Sequence, residues 1–475
     1  MASTINKKVL LTVMILGCFL STLNQTLLNV ALSSFMDIFS VEASTVQWLS
    51  TGFMLVNGVL IPVTAYLMKR FSTRQLFIAS MLFLLAGSIL CAVAPSFSVL
   101  LAGRMIQAVG AGIIMPLMMS VVMFIFPVEK RGSAMGLIGL AIIFAPAIAP
   151  TLAGFIIEYV SWRWLFIGLI PFVVVIILLA LKYLINVTEP QKAKIDVTSV
   201  ILSTFGFGLV LYGVSTAGRD GWNDAIVLAS AIAGAAIIVL FCLRQIKSAD
   251  PLLNLAVFKN RTFTMTSLIN ILVTMMMYAD MTLLPIYLQD GRGFTAFDAG
   301  LLLLPGAIIN AFLSPVTGRL FDRFGAKPLF IIGLLFIIPS MWVITDLSSD
   351  TTYLFLMIRT VFLRIGLSFI TMPLNTAGLN ALPKELITHG TAVNNTVRQI
   401  AGSIGTAIVI TVFSTQTSNY ASELTLEMPD FQAADILEMA TASGTSDAYY
   451  FMMILAIAAF IITLFTKTKT AEKSA

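Results

Sequence analysis

Apolar residues in this chain come in long runs separated by short polar clusters. Fourteen such runs fall at roughly 9-30, 49-68, 75-94, 99-123, 132-157, 164-185, 198-217, 225-245, 262-288, 297-318, 328-345, 352-375, 389-415 and 447-466. A helix of about 20 apolar residues crosses a hydrocarbon core of about 30 Å, and a helix satisfies its own backbone there. The pattern therefore predicts an all-α, polytopic membrane protein with fourteen transmembrane helices.

Composition excludes the soluble classes. With 58% hydrophobic and only 11% charged residues and a mean hydropathy of +0.97, no water-soluble fold of this length hides its apolar surface. Membrane lipid is the surrounding partner, and no separate soluble domain is visible. Cys18, Cys91 and Cys242 all lie inside apolar runs without a CxxC pair or a His-Cys grouping, so they read as small buried hydrophobes rather than disulfides or metal ligands. Lys7 and Lys8 precede the first run as they would in a signal peptide, but the run continues through Val30 without a cleavage box. A retained first helix is expected.

The net charge of +5 does not indicate a nucleic-acid partner, because it sorts by membrane side. Lys7, Lys8, Lys69, Arg70, Arg74, Lys130, Arg131, Lys192, Lys194, Lys247, Lys259, Arg261, Arg319, Arg323, Lys327, Lys384, Lys467 and Lys469 fall on one side, and only Arg163, Arg219 and Arg292 on the other. Cytoplasmic loops retain positive charge. The expectation is a multi-pass protein of the cell membrane with both termini cytoplasmic. The connection at about 416-446, with Glu423, Glu427, Asp430, Asp435 and Glu438 and no Lys or Arg, is expected to be an extracytoplasmic acidic loop, either a cation-attracting surface or merely solvated.

The chain repeats itself. TAYLMKRFSTRQLF at 64-77 matches TGRLFDRFGAKPLF at 317-330 with an offset of 253; Asn24-Gln25-Thr26-Leu27-Leu28 answers Asp280-Met281-Thr282-Leu283-Leu284; Arg104 answers Arg359. Three similar offsets in three different runs mark a duplication. Two six-helix repeats follow, residues 1-190 and 251-475, with two inserted transmembrane helices at 191-250. Duplicated bundles suit alternating access around a site near the bilayer midplane. Without GxxxxGK[ST] or a cytosolic domain, an ion gradient rather than ATP is the expected energy source. Neither GxSxG nor HExxH appears, so no enzyme activity, cofactor or metal is expected.

Almost the whole chain resembles the major facilitator superfamily, specifically its fourteen-span drug:proton antiporters of the EmrB/QacA type. Gly318 to Lys327, GRLFDRFGAK, is similar to the superfamily's GxLxDRxGxK loop in full; its first-half counterpart, Ala65 to Arg74, has Lys69 in place of the Asp and Ser72 in place of the second Gly. The resemblance implies cytoplasmic gating loops containing Arg70, Arg74, Asp322, Arg323 and Gly325, with the gating role shifted to Asp322 and Arg323. Arg104, Gln107, Gly110, Gly112 and Pro116 resemble the fourth-span motif. The stretch from Gly136 to Gly154, with Pro146 and Pro150, resembles the fifth-span motif that marks exporters; small residues there also suit close helix packing. The phrase LNQTLLNVAL in the first span resembles lincomycin-resistance exporters of Gram-positive bacteria, although an Asp commonly stands where this chain has Asn24.

Ionisable groups inside a bilayer are costly and become functional candidates. Well inside the runs these are Asp280, Arg104, Arg359, Arg364 and Arg398. At about 1.5 Å per residue, Asp280 and Arg359 lie about 12 and 10 Å from the outer ends of their spans, so they are expected to pair. Alternation between a paired and a desolvated setting lets a carboxylate load and release a proton. Asp280 is thus the candidate coupling carboxylate with Arg359 as its partner, the alternative being a structural salt bridge that locks the helices. Candidate cavity or polar-lining residues are Asn24, Gln25, Arg104, Gln107, Met276, Asn394, Asn395, Arg398 and Gln399, those of span thirteen serving either a cavity or an opposing helix. His389 is expected to be solvated at the mouth of that span.

The implied function is proton-gradient-driven export of small amphipathic drug substrates, lincosamide-like antibiotics among them, by a monomer that exchanges them for protons. Export of a physiological metabolite, lipid or peptide fits the same motifs. A non-transporting sensor or an uptake permease fits fewer of them.

Overall fold

The computed structural model describes residues 7–187, 196–248, 250–347, 351–428 and 431–466. Lys192, Lys194, Lys467, Lys469 and Asp430 lie outside them. Fourteen described helices are long and apolar enough to cross a membrane: α1 Lys7–Phe39, α2 Trp48–Arg70, α3 Thr73–Ala92, α4 Phe97–Ile125, α5 Val128–Tyr159, α6 Leu169–Tyr183 with the short turn Trp164–Ile167 before it, α7 Val197–Asp220, α8 Ala225–Lys247, α9 Arg261–Ile286, α10 Ala296–Phe324, α11 Ala326–Trp342, α12 Tyr353–Asn380, α13 Lys384–Glu427 and α14 Ala433–Phe465. The even count returns the chain to the end at which it began, called here the basic end because Lys69, Arg70 and Arg323 lie there; the other is the far end.

Local chemistry sets where these helices start and stop. Ser72 with Gln75 and Thr295 with Asp298 form capping boxes before α3 and α10, each satisfying backbone donors that a helix start leaves open. α5 and α13 begin alike, on Pro127 and Pro383 at the N-cap with Glu129 and Glu385 in the first turn. Proline suits a helix start because no bonded amide is lost, and the acid faces the positive end of the helix dipole. α10 stops at Gly325, whose φ of +79° favours a residue without Cβ.

Buried apolar side chains gather in two large clusters. One is built mainly from α1 to α6, the other from α9 to α14. The halves meet most extensively along α5 and α10. α7 and α8 pack on each other through Gly206, Gly213 and Gly234, where an added Cβ would press on the partner backbone. α7 also lies against both α2 of the first half and α13 of the second. At the basic end Arg244 grips Asp196 with two bonds of 2.9 Å, which hold that carboxyl well below the usual carboxylate range. At the far end Trp222 Nε1 donates to Thr411 Oγ1 at 2.7 Å.

The acidic connection at 416-446 is not a loop. α13 continues to Glu427 and α14 begins at Ala433, so two helices project side by side beyond the spans. Gly444 meets Thr417 and Phe413, while Gln416 and Tyr420 both donate to Asp447 Oδ2, at 2.7 and 3.1 Å. Low hydropathy resembled a loop because this hairpin pairs through small residues and side-chain hydrogen bonds rather than through a broad apolar face.

Candidate functional site

Asp280 is the centre of the second half. Its side chain is 0% exposed, held on α9 among core residues. From α12, Arg359 Nη1 donates to Asp280 Oδ1 at 2.8 Å and Arg364 Nη2 to Oδ2 at 3.4 Å. From α14, Tyr449 Oη donates to Oδ1 at 3.0 Å, while its ring lies under the Arg359 guanidinium at 4.5 Å. Arg359 is further fixed by the Ser340 carbonyl at 2.8 Å. The cluster thus binds three helices through one carboxylate and carries two positive charges against one negative. Sequence reasoning anticipated the Arg359 partnership and missed Tyr449, whose only signal was a hydroxyl inside an apolar run.

The repeat-related place in the first half is built differently. Arg104 on α4 is 0% exposed; its Nη1 donates to the Asn24 backbone carbonyl at 3.3 Å and to Gln107 Oε1 at 2.8 Å. Gln107 Nε2 donates to Ser88 at 2.9 Å, and the Phe53 ring covers the guanidinium at 4.4 Å. Asn24 is buried, with Nδ2 unpartnered; Gln25 is half-buried.

Several lining candidates sit elsewhere. Met276 is 1% exposed within the second-half core, because it shares the inward face of α9 with Val273, Ala279 and Leu283. Asn394 accepts from Asn270 of α9 at 2.9 Å and donates to Asn375 of α12, so its amide ties three helices of one half. Asn395 donates to the Thr391 carbonyl at 2.9 Å and meets Met119 of α4 across the interface. Arg398 and Gln399 are half-buried. His389 is buried rather than solvated, its Nδ1 accepting the Asn254 amide at 3.2 Å.

The gating candidates divide sharply. Asp322 accepts from the Gly132 and Ser133 amides at 2.7 and 2.8 Å and from the Ser133 hydroxyl. It thus joins α10 to the first two turns of α5, near the positive end of the helix dipole, which favours an anion. Arg323 is exposed over Phe324 and, among the described residues, bonds to no first-half group. Arg74 binds the Leu181 carbonyl inside its own half, Arg70 is exposed, and Gly325 caps α10. Arg131, not foreseen as a contact between halves, donates to Asn380 at 2.8 Å.

The exporter-motif residues sit along that seam. A Cβ on Gly136 would lie 2.5 Å from the Ser314 carbonyl, and Gly318 packs on Gly132. Eighteen residues, five full helical turns, separate Gly136 from Gly154 and Gly300 from Gly318, so each pair shares a helix face. Yet a Cβ on Gly154 or Gly300 meets nothing within 4 Å. The α5–α10 face is therefore close-packed at Gly136 and Gly318 and open around Gly154 and Gly300. Pro146 is half-buried in α5; the side chain of Pro150 lies outside the described residues.

Fourteen described helices long and apolar enough to cross a membrane, their buried side chains gathered in two large clusters joined along α5 and α10, give the chain the architecture of a membrane transporter. The family model of the Major Facilitator Superfamily matches residues 14–406, and the chain belongs to that superfamily. Within it the chain is similar to the uncharacterized MFS-type transporter YhcA of Bacillus subtilis (50% identity over 88% of this chain and 79% of that one) and to the lincomycin resistance protein LmrB of the same organism (42% over 96% and 94%). It is also similar to the multidrug export protein EmrB of Escherichia coli (28% over 88% and 82%), which agrees with the EmrB/QacA type. Among solved structures, a double-tryptophan XylE mutant shares the fold, with a TM-score of 0.68 at 14% identity, covering 97% of this chain and 96% of that one.

Proposed function

We propose that the protein is a proton-coupled multidrug efflux antiporter of the cell membrane, exporting small amphipathic compounds, including lincosamide-like antibiotics, by alternating access. The basic end, with both termini, faces the cytoplasm. The protein works as a monomer without a cofactor, and the proton gradient supplies the energy. The reading rests on one observation above all: a fully buried carboxylate, Asp280, joins α9, α12 and α14 in a chain similar to drug-resistance exporters.

The chemistry follows from charge. A proton taken up by Asp280 removes the only negative charge between Arg359 and Arg364, leaving two buried cations whose repulsion is weakly screened in a low-dielectric interior. Both arginines belong to α12, so losing the Asp280 charge releases them, and α12 with them, from α9. Loss of the proton draws them back. A chemical step on one oxygen is thereby converted into a displacement between helices.

A drug-susceptibility panel in a pump-deficient host, paired with proton flux in everted vesicles, tests the reading. Wild type is expected to confer resistance and to release protons on drug addition. Asp280→Asn is expected to lose both while retaining drug binding. Full export by Asp280→Asn would sink the coupling role, and absence of any drug phenotype in wild type would favour a physiological cargo.

A further inference from the structure

The second half neutralises buried arginine with Asp280, whereas the first half leaves Arg104 without an acid. Among the described residues no carboxylate pairs with its guanidinium. The repeat puts the amide of Asn24 where the second half has its carboxylate, and an amide carries no charge to offset a buried cation. Two donors also lack acceptors there: Arg104 Nε and Asn24 Nδ2 are both buried without a hydrogen-bond partner. The Arg104 bond to the Asn24 carbonyl keeps these residues adjacent.

We propose that Arg104 and Asn24 form a subsite for a monovalent anion, either the carboxylate of a transported molecule or a halide ion, which fills the role Asp280 plays in the second half. A carboxylate has two acceptor oxygens for two neighbouring N–H donors, and bonds from a guanidinium to such an anion are charge-assisted. The wider charge pattern agrees. Well inside the spans, Arg104, Arg359, Arg364 and Arg398 face Asp280 alone. In the conformation described, Phe53 covers the guanidinium, so the anion enters when the halves reposition and the ring moves aside. This rests on the proposed transport path running between the repeats, and it adds the charge class of what that path holds.

The test uses purified full-length protein in lipid nanodiscs, titrated with naphthoate and with its neutral counterpart naphthamide in isethionate buffer. Sodium chloride is then added as competitor. Wild type is expected to prefer naphthoate by about tenfold, the scale of one charge-assisted contact. Asn24→Asp, which installs a resident carboxylate, and Arg104→Gln are each expected to bring the two affinities together. Arg398→Gln is expected to leave the preference intact. Chloride that displaces naphthoate from wild type identifies a halide as an occupant; chloride without effect assigns the subsite to a carboxylate. Equal affinities in wild type, or a preference that survives Asn24→Asp, would overturn the proposal. Should Asn24→Asp fail to fold by size exclusion, the wild-type ratio and its persistence in Arg398→Gln decide the matter. Failure of the exporter reading would appear as absent drug export with this ratio unchanged, so the two failures are distinguishable.

Discussion

Asp280 and Arg359 meet at 2.8 Å although 79 residues separate them, and Arg364 approaches the same carboxylate from the other oxygen. Breaking a buried pair costs about 3 kcal/mol or more when a charge is left unpaired. Asp280→Asn leaves two such charges, whereas Arg359→Gln leaves the Asp280–Arg364 pair. Asp280→Asn is therefore expected to lower the thermal midpoint more than Arg359→Gln. The double variant Asp280→Asn/Arg364→Gln should recover part of that loss without recovering proton coupling. Scanning fluorimetry of the three proteins checks the order, and a reversed order would remove Arg364 from the cluster.

Tyr449→Phe removes one hydrogen bond to Asp280 and keeps the ring beneath Arg359. The expected loss is about 1 to 2 kcal/mol, the scale of a bond to a charged group, while Tyr449→Leu should lose more because the ring goes too. Equal losses in the two variants would show that the hydroxyl is what matters.

Gly136 and Gly154 offer a matched comparison on one face of α5. Gly136→Ala forces a methyl against the Ser314 carbonyl, whereas Gly154→Ala meets open space. Gly136→Ala should destabilise by about 1 to 3 kcal/mol, as overpacking does, and Gly154→Ala should be stable in this conformation. Equal destabilisation would contradict the open surroundings of Gly154.

Asp322→Asn weakens the charge-assisted hold on the Gly132 and Ser133 amides. Spin labels on Lys130 and Arg323 should then report a longer or broader distance across the basic end. Arg323→Gln, with that side chain exposed, should leave closure between labels on Lys130 and Lys384 unchanged.

Asp196 carries a pH signature outside the spans. Arg244 depresses its carboxyl below the ordinary range, so its contribution is present above the unfolded-state value and disappears as pH falls through the lower folded-state value. Wild type should exceed Asp196→Asn in thermal midpoint at neutral pH, with the gap closing only in strong acid. A gap that closes near neutrality would refute the pairing.

Much of this was legible because lipid demands long apolar runs and because the two halves repeat. The Asp280–Arg359 pair could be inferred from matched depth along two helices. Arg364 was visible as a charge, but five residues beyond Arg359 it points from another face, and only its long side chain brings it to Asp280. The target of Asp322 was hidden because it is backbone N–H at a helix start, which no residue type announces. The place of Met276 in the core was hidden for another reason, since a methionine's chemistry suits a cavity and a core alike.

α13 is one continuous helix from Lys384 to Glu427, and 44 residues extend about 66 Å at 1.5 Å per residue. It touches α9, where Asn394 bonds Asn270 and Gly402 and Gly405 pack on Tyr278 and Met275, and also α7, then runs on beside α14 at the far end. Such a rod is a lever. A tilt of about 10° about its basic end sweeps a tip about 66 Å away through roughly 11 Å, so the projecting hairpin magnifies small rotations of the bundle into displacements that a probe outside the membrane can follow.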